Sequence, residues 1–423
     1  MSTQPATPGL RRDIAGHSVV ELAEKFGTPT YVYDTTPIDA RIQDLQHFDL
    51  IRFAQKACSN LAILDHVRRQ GVVVDAVSAG EIRRAMAAGY DLQENPPAVV
   101  YCADLFDQDS LELVIKHDIH VNCGSPDMID QLGEVAPGRN ITLRINPGFG
   151  HGHSQKTNTG GPQSKHGIWH EEVEDCLLRA DRHGLGVTGI HMHIGSGSDF
   201  EHLAQVCGAL EETARRVGRS ITSVSAGGGL PIPYRDGEAQ IDTVRYFELW
   251  DQSRQRLAKE FGHPISLEIE PGRYLSAEAG FLIAEIRSIK KMGENLFYLV
   301  DAGFNNLARP ILYGAYHPMS ISPRHGGVPD TTAEVVVGGP LCESGDIFTQ
   351  EEGGYVCSRR LPVAKVGDYL VIECAGAYGQ VMSSNYNSKP FAAEVMIRDH
   401  QAQLIRKRQT FADLIQGEVI PES

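Results

Sequence analysis

The pattern of hydrophobic and polar positions changes once along this chain, at about residue 280. Before that point, short apolar runs alternate with stretches of helical periodicity. Eight runs predict strands: Ile51–Gln55, Val72–Val77, Ala98–Cys102, His120–Cys123, Ile141–Ile145, Val187–Ile194, Ile221–Ala226 and Ser266–Glu270. Amphipathic stretches such as Asn60–Gln70 and Tyr246–Phe261 separate most of them. Repeated strand–helix units predict an α/β protein with a (β/α)8 TIM-type barrel.

Beyond residue 280, β-rich runs dominate and turn residues separate them. The predicted strands are Phe281–Ile289, Leu296–Val300, Ala333–Val337, Tyr369–Glu373 and Glu394–Ile397. They indicate a second, mostly antiparallel β domain at the C-terminal end, which Tyr31–Tyr33 is expected to join. We therefore expect a cofactor-binding barrel over residues 38–278, and a β domain built from residues 1–37 and 279–423 that contributes substrate and interface residues.

Polar and glycine-rich features follow the predicted barrel strands. Chemistry in such barrels lies at the C-terminal ends of the strands, so these features are expected on one face. They are Lys56 after the first strand, His193 and Ser196 at the end of the sixth, Gly227, Gly228 and Gly229 after the seventh, and Glu270 at the end of the eighth.

The run Glu270-Pro271-Gly272-Arg273 places an acid and a base three residues apart on a rigid turn. Such a pair can hold both ends of pyridoxal phosphate, which has a basic ring nitrogen and a phosphate. A carboxylate facing that nitrogen keeps it protonated and makes the ring an electron sink. The preceding glycine run, followed by Arg273, matches the usual phosphate site of a barrel.

Two of these features have alternative interpretations. Lys56 could form a Schiff base with the cofactor aldehyde, or could cap a strand beside an acid such as Asp75. His191 and His193 could bind a metal, with Asp301 or Glu270 as further ligands. Alternatively, His193 stacks on a cofactor ring, or the two histidines are a structural pair in the core.

The β domain offers three further candidates. Cys342 adjoins Glu343, whose negative charge opposes thiolate formation, so this thiol suits proton donation better than nucleophilic attack. An inert buried cysteine is the alternative. Arg309 and Tyr313, four residues apart, suit a carboxylate, and Tyr378 offers a phenol on a glycine-flanked turn. Either of the last two features could instead pack at an interface.

Residues 146–167 form a long, glycine-rich stretch that is nearly devoid of apolar side chains. Structureless loops of this length in compact domains are usually functional or mobile. We expect an active-site flap, with a plain surface insertion as the alternative.

Composition excludes several functions. The formal net charge of −15 argues against a nucleic-acid surface, although local arginines could still bind an anionic substrate. No apolar run approaches the roughly 20 residues that span a bilayer, and the first fifteen residues lack a signal-peptide core. The eight cysteines include no C-x-x-C pair. We expect a cytoplasmic enzyme with reduced thiols, no membrane partner and no bound metal.

Seven motifs together carry a resemblance to a known family. They are KACSN, HMHIGSG, AGGGL, EIEPGR, VDAGFNNLARP, GPLCESGD and GAYG. In this order they resemble the diaminopimelate decarboxylases, which use pyridoxal phosphate on an alanine-racemase-like fold, and the resemblance runs from about residue 16 to 416. It implies a barrel, a β domain and a head-to-tail homodimer with active sites at the subunit interface.

The resemblance implies a role for each cofactor-site residue. Lys56 is similar to the Schiff-base lysine, His193 to the ring-stacking histidine and Glu270 to the carboxylate on the pyridine nitrogen. The implied phosphate cradle consists of Ser196, Gly227, Gly228, Gly229 and the Pro271-Gly272-Arg273 turn.

The resemblance also implies a substrate site. Arg273, Arg309, Tyr313 and Glu343 are similar to the substrate clamp, Tyr378 to a tyrosine that touches cofactor and substrate, and Cys342 to a proton donor from the partner subunit. The sequence departs from the commonest family motifs at two positions, Cys58 and His166, and a bacterial subgroup with the long HGHSQKTNTGG loop resembles this chain at both.

The implied reaction is decarboxylation of meso-2,6-diaminopimelate to L-lysine and CO2, the last step of lysine biosynthesis. The nearest alternative is decarboxylation of ornithine, arginine or a polyamine precursor on the same fold. A racemase would be expected to place arginine, not Glu270, at the ring nitrogen. A zinc hydrolase built on His191 and His193, or a non-catalytic regulatory homologue, are alternatives from other classes.

Overall fold

The computed structural model describes residues 9–150, 159–193, 199–327, 329 and 331–422. The chain divides into two compact units. The barrel unit comprises Asp39–Ile232 and Ala239–Leu275. The sheet unit comprises the described residues of Met1–Ile38, Pro233–Glu238 and Ser276–Ser423. The short segment 233–238 therefore belongs to the sheet unit, although the residues on both sides of it belong to the barrel.

The first elements are β1 (Asp13–Ile14), β2 (His17–Ser18), α1 (Val19–Phe26), β3 (Thr30–Asp34) and α2 (Thr35–Asp44). The next strands are β4 (Leu50–Ala54), β5 (Val73–Ala76), β6 (Val99–Ala103), β7 (His120–Cys123), β8 (Asn140–Asn146), β9 (Ile168–Trp169), β10 (Gly186–His191), β11 (Ser223–Ser225) and β12 (Ser266–Ile269). Helices follow them as α3 (Leu61–Arg69), α4 (Ala79–Ala87), α5 (Gln108–Lys116), α6 (Pro126–Val135), α7 (Val173–Arg182), α8 (Phe200–Val217), α9 (Thr243–Phe261) and α10 (Arg273–Ser276).

Eight of these strands close into a parallel barrel in the order β4-β5-β6-β7-β8-β10-β11-β12. The ring closes where β12 pairs with β4, with Glu268 opposite Leu50 and Ile269 opposite Ile51. The two-residue strand β9 adds to β8 alone. The predicted (β/α)8 barrel is confirmed, and each of its eight strands lies within one to three residues of the predicted bounds.

Side-chain caps define where the barrel helices begin. Asn60 accepts a hydrogen bond from the Ala62 amide at the start of α3, and Ser78 accepts one from Glu81 at the start of α4. These caps satisfy amides that have no partner within the helix. Because each cap follows a strand closely, the caps fix how soon the chain turns back over the barrel.

The sheet unit continues with β13 (Gly280–Met292), β14 (Asn295–Val300), α11 (Arg309–Tyr313), β15 (Met319–Ser322), β16 (Thr332–Gly338), β17 (Arg359–Pro362), β18 (Tyr369–Ile372), β19 (Ala393–Arg398), β20 (Gln401–Arg406) and α12 (Phe411–Ile415). Short 3-10 turns occur at Gln55–Ala57, His170–Glu172, Gln380–Met382 and Tyr386–Ser388.

Strand β13 is the centre of the sheet unit. It pairs antiparallel with β14, β18 and β3, and β3 pairs in parallel with β19. The prediction that Tyr31–Tyr33 joins this domain is confirmed. The sheet is mostly antiparallel, as expected; β14–β16 is its other parallel pairing in the described part of the chain. Strands β15, β17 and β20 were not predicted.

A charged group is buried beside β3. Glu394 is fully buried, accepts a hydrogen bond from Tyr33 Oη at 3.0 Å and is paired with Arg406. Pairing of this kind is what allows a carboxylate to remain in an apolar sheet.

In the described part of the chain, no helix combines the length and the apolar character that a membrane crossing requires.

Two glycines in barrel helices provide a matched test of packing. A Cβ at Gly133 in α6 would overlap the His183 side chain, whereas a Cβ at Gly208 in α8 would meet nothing within 4 Å. We expect Gly133→Ala to destabilise the protein by about 1–3 kcal/mol through overpacking. Gly208→Ala should stabilise it by up to about 1 kcal/mol through helix propensity. Urea denaturation of both variants gives the comparison, and equal effects would contradict the described packing.

Candidate active site

The predicted cofactor residues follow the C-terminal ends of barrel strands. Lys56 lies in the 3-10 turn directly after β4, and His193 lies two residues beyond β10. Glu270 directly follows β12, and Arg273 begins α10. Because the strands are parallel and the barrel is closed, these positions share one rim. Ser196 lies outside the described residues, so its predicted phosphate contact stays a prediction.

Glu270 is the best-defined charged group at this rim. It is buried, and its Oε2 is 2.7 Å from His191 Nε2. Burial alone would raise the pKa of its carboxyl, but the contact with His191, together with the positive charge of Arg144, lowers that pKa to about 2. Glu270 is therefore an ionised carboxylate held inside the barrel.

The two histidines of the H-x-H motif have different partners. His191 contacts Glu270, and its buried Nδ1 has no hydrogen-bond partner among the described residues. His193 Nδ1 instead accepts a hydrogen bond from the Gly228 amide at 3.0 Å. Burial and the positive charges of Lys56 and Arg144 hold the pKa of His193 well below its usual value. His193 is therefore a neutral ring of fixed orientation.

A metal site in this region would have to use another set of residues. Cys102, His191 and Glu270 each bring one potential ligand atom within 4.8 Å of the others, and His193 does not belong to this set. Burial, with the negative charge of Glu270, raises the pKa of the Cys102 thiol to about 12. Within this set His191 Nε2 and Glu270 Oε2 bind each other directly at 2.7 Å, which is the geometry of a carboxylate–imidazole pair.

Both Lys56 and Glu270 affect the pKa of Asp75. This buried residue of β5 has its carboxyl pKa raised to about 8 by burial and by Glu270, with Lys56 acting in the opposite direction. Lys56 and Glu270 are therefore both close enough to Asp75 to affect its ionisation. The arrangement includes the acid that the strand-capping interpretation of Lys56 required, so it is compatible with either role.

Close backbone approach requires the glycines that follow β11. Gly227 has a φ of 62°, and a Cβ there would lie 2.6 Å from the Met192 carbonyl oxygen. A Cβ at Gly228 would lie 2.5 Å from the Glu270 carbonyl oxygen. Both contacts would be impossible for a larger residue. Packing between neighbouring strand ends thus explains these glycines, and their role in phosphate binding stays a prediction.

The site fits the pyridoxal ring by its donors and acceptors. Glu270 Oε1 receives, among the described residues, only a long contact of 3.5 Å from Ser225 Oγ, so it can accept a hydrogen bond from a protonated ring nitrogen. The Asp75 Oδ1 atom is buried and also has no partner in the described structure. The carboxylate of Glu270 suits the ring nitrogen of such a cofactor, and the amine of Lys56 on the same rim suits its aldehyde.

The predicted flap is described only at its two ends, because residues 151–158 lie outside the described part. Asn146 bonds both the amide and the carbonyl of Gly161, at 2.8 and 3.1 Å. His166, one of the two positions that depart from the family sequence motifs, contacts Asp104 through Nδ1 at 2.7 Å. Both ends of the loop are therefore attached to barrel residues, and its function as a flap stays a prediction.

The sheet unit contains the predicted substrate residues other than Arg273, which belongs to the barrel unit. Arg309 is buried at the start of α11, and Tyr313 ends the same helix. Arg309 Nη1 donates to Tyr234 Oη at 3.1 Å and to His317 Nε2 at 2.9 Å. Sequence reasoning selected neither partner, because a tyrosine in a loop and a histidine before a strand carry no local signal.

Cys342 and Glu343 are exposed in this chain on a turn of the sheet unit. Asp346 organises the turn by accepting hydrogen bonds from the Leu341 and Phe304 amides, both at 2.7 Å. The alternative of a buried, inert Cys342 is therefore wrong for this chain. Tyr378 is half-buried and has a φ of 56°, a conformation that costs a non-glycine residue energy.

Comparisons with known proteins agree with this architecture. The model of the family described as "Pyridoxal-dependent decarboxylase, pyridoxal binding domain" matches residues 38–277. Diaminopimelate decarboxylase of Escherichia coli strain K12 is 53% identical over 410 residues, which cover 96% of this chain and 98% of that protein. The enzyme of Streptomyces coelicolor is 52% identical over 419 residues, covering 99% and 94%.

Solved structures give the same result. A crystal structure of diaminopimelate decarboxylase matches with a TM-score of 0.92 and 54% identity, covering 94% of this chain and 95% of that one. The enzyme of M. jannaschii in co-complex with L-lysine matches with a TM-score of 0.86 and 28% identity, covering 97% and 96%. The chain therefore belongs to the diaminopimelate decarboxylases, the pyridoxal-phosphate-dependent carboxy-lyases that convert meso-2,6-diaminopimelate to L-lysine and CO2.

Proposed function

We propose that this chain performs the family reaction, with barrel-rim residues holding the cofactor, and with Arg273 and residues of the sheet unit binding the substrate. The observation that carries the proposal is that Glu270 is buried and ionised. Glu270 and Lys56 also both affect the pKa of the neighbouring Asp75. His191 contacts one carboxylate oxygen of Glu270, and the other oxygen, which among the described residues receives only the 3.5 Å contact from Ser225 Oγ, can pair with a further cation. A protonated ring nitrogen is such a cation.

Bound pyridoxal phosphate supplies an electron sink for the electron pair left when CO2 departs. Glu270 would accept a hydrogen bond from the ring nitrogen and keep it protonated. Lys56 would hold the cofactor through its amine, and the ring of His193 would lie against the cofactor ring. The phosphate would be met by Ser196, Gly227, Gly228, Gly229, Pro271, Gly272 and Arg273.

Substrate recognition rests on opposite charges. Arg309, Arg273 and Tyr313 bind the distal carboxylate, for which guanidinium groups are the best partners in proteins. Glu343 binds the distal ammonium. Tyr378 contacts cofactor and substrate, and its constrained backbone supports a fixed orientation. A diacid therefore binds better than ornithine or arginine, which lack the second carboxylate.

Cys342 donates the proton that replaces the lost carboxylate. We propose that it acts on the active site of the other subunit of a homodimer, in which each site lies at the interface. Its exposure in the single chain supports this arrangement.

All eight cysteines are free, which agrees with an enzyme of the reducing cytoplasm.

A comparison of substrates tests the function directly. Purified protein with pyridoxal phosphate should release CO2 and lysine from meso-diaminopimelate, and no CO2 from ornithine or arginine. Arg309→Met should raise KM for the diacid about tenfold to a hundredfold, because one charge-assisted hydrogen bond contributes about 1.5–3 kcal/mol. Release from ornithine alone, or an unchanged KM in this variant, would refute the proposed clamp.

Glu270→Gln tests the role of the buried charge. The amide keeps the size of the side chain and can still accept from His191, but it cannot hold the ring nitrogen protonated. Turnover should fall by about 100-fold or more, as for other preorganised charges, while the cofactor remains bound by its visible absorbance. Glu268→Gln, two residues earlier in β12, is the control, and an equal loss of turnover there would assign the effect to barrel stability.

Mixing two inactive variants tests the shared site. Lys56→Ala and Cys342→Ala are each expected to be inactive as homodimers. If Lys56 and Cys342 of one site come from different subunits, random re-association should restore about a quarter of the wild-type activity, since half of the dimers are mixed and each has one intact site. No recovery in dimers verified to be mixed would show that both residues come from one subunit.

A further inference from the structure

A histidine that the predicted substrate site does not include holds Arg309 in place. His317 is 1% exposed, and its Nε2 lies 2.9 Å from Arg309 Nη1. A guanidinium has only donors and stays protonated in proteins, so this imidazole nitrogen must be the acceptor. The proton of the ring then lies on Nδ1.

The second nitrogen of His317 agrees with this assignment. His317 Nδ1 is 3.0 Å from the backbone carbonyl oxygen of Glu373, which can only accept. One nitrogen therefore accepts and the other donates, which is the hydrogen-bonding pattern of a neutral imidazole. Both contacts are satisfied by a single tautomer, and a protonated ring would direct a proton at the guanidinium.

The Glu373 carbonyl is itself firmly anchored. It follows β18, which pairs antiparallel with β15, and His317 precedes β15. The Glu373 amide donates to the Pro318 carbonyl at 2.9 Å. The Glu373 carboxylate is bound by Arg11 through two hydrogen bonds of 2.9 Å, and by Ser320 Oγ at 2.6 Å. Through its two hydrogen bonds, His317 thus ties the orientation of Arg309 to the backbone of the sheet.

Tyr234 completes the support on the other side of the guanidinium. Its Oη accepts from the same Nη1 at 3.1 Å, and its ring lies 5.1 Å from the Arg309 guanidinium carbon. The Tyr234 ring also meets the His317 ring edge-on, with 5.7 Å between centroids. Two hydrogen bonds to one nitrogen fix the plane of the guanidinium, and that plane decides the direction from which a carboxylate can pair with it.

We propose that His317 is a positioning residue for Arg309 and thereby sets the affinity of the enzyme for a substrate with a distal carboxylate. This inference rests on the proposed function, because it takes Arg309 as the residue that binds this carboxylate. His317 contacts neither the reacting carbon nor the cofactor in this role. Its effect should therefore appear in KM and leave kcat unchanged.

Two amide substitutions separate the two nitrogens of the ring. In His317→Gln, the side-chain amide reaches the position of Nε2 and its oxygen can accept from Arg309. In His317→Asn, the shorter amide reaches the position of Nδ1, keeps the bond to the Glu373 carbonyl and loses Arg309. A purely structural role would make the two variants similar, whereas a positioning role makes only the asparagine variant defective.

The experiment measures kcat and KM for meso-diaminopimelate in the holoenzyme, with thermal unfolding and the visible cofactor band as checks on folding. We expect KM to rise about fivefold in His317→Asn, as for the loss of one hydrogen bond, and to stay within about twofold of wild type in His317→Gln. Equal KM values for the two variants, or a change confined to kcat, would overturn the inference.

Two further variants keep the outcomes distinguishable. Tyr234→Phe removes one oxygen from the support of Arg309 and should raise KM about threefold to fivefold, so it serves if the variants at 317 do not fold. An unchanged KM in Tyr234→Phe would in that case overturn the inference. Arg309→Met tests the proposed clamp itself. If it raises KM while the asparagine variant does not, only the positioning role is lost; if it has no effect, both proposals are lost.

Discussion

The pairing of β12 with β4 is the constraint on which the barrel site depends. These strands are the last and first of the barrel, and their hydrogen bonds convert an open parallel sheet into a closed one. Lys56 follows β4 and Glu270 follows β12, so the same pairing brings an amine and a carboxylate from distant parts of the chain to one rim. An open sheet would leave them on opposite edges.

Buried histidines contact charged groups or the backbone in both units. In the barrel, His191 contacts Glu270, and His193 accepts from the Gly228 amide. In the sheet unit, His317 links Arg309 to a backbone carbonyl. A neutral imidazole is rigid and offers a donor on one side and an acceptor on the other. It can therefore orient a charge without adding a second charge nearby.

The sequence was sufficient for the elements whose apolar pattern is strong. The barrel strands contain buried apolar positions, and several, such as Val73–Ala76 and Val99–Ala103, are fully or almost fully buried runs; the strand-end rule then located the polar candidates. Strands such as β17 and β20 escaped prediction because Arg359–Pro362 and Gln401–Arg406 have little apolar pattern and are ordered by pairing with a neighbour. The partners of Glu270 and Arg309 were also inaccessible, because such contacts depend on which distant segments the fold brings together.

The pairing of β3 has a consequence for biosynthesis. This strand is made early, but its two neighbours, β13 and β19, are made only after the whole barrel. A nascent chain could therefore complete the barrel while β3 still lacks both edges, and an unpaired strand is a template for pairing with other chains. During translation, the segment around Tyr31–Tyr33 therefore waits for its pairing partners until the chain has passed residue 280.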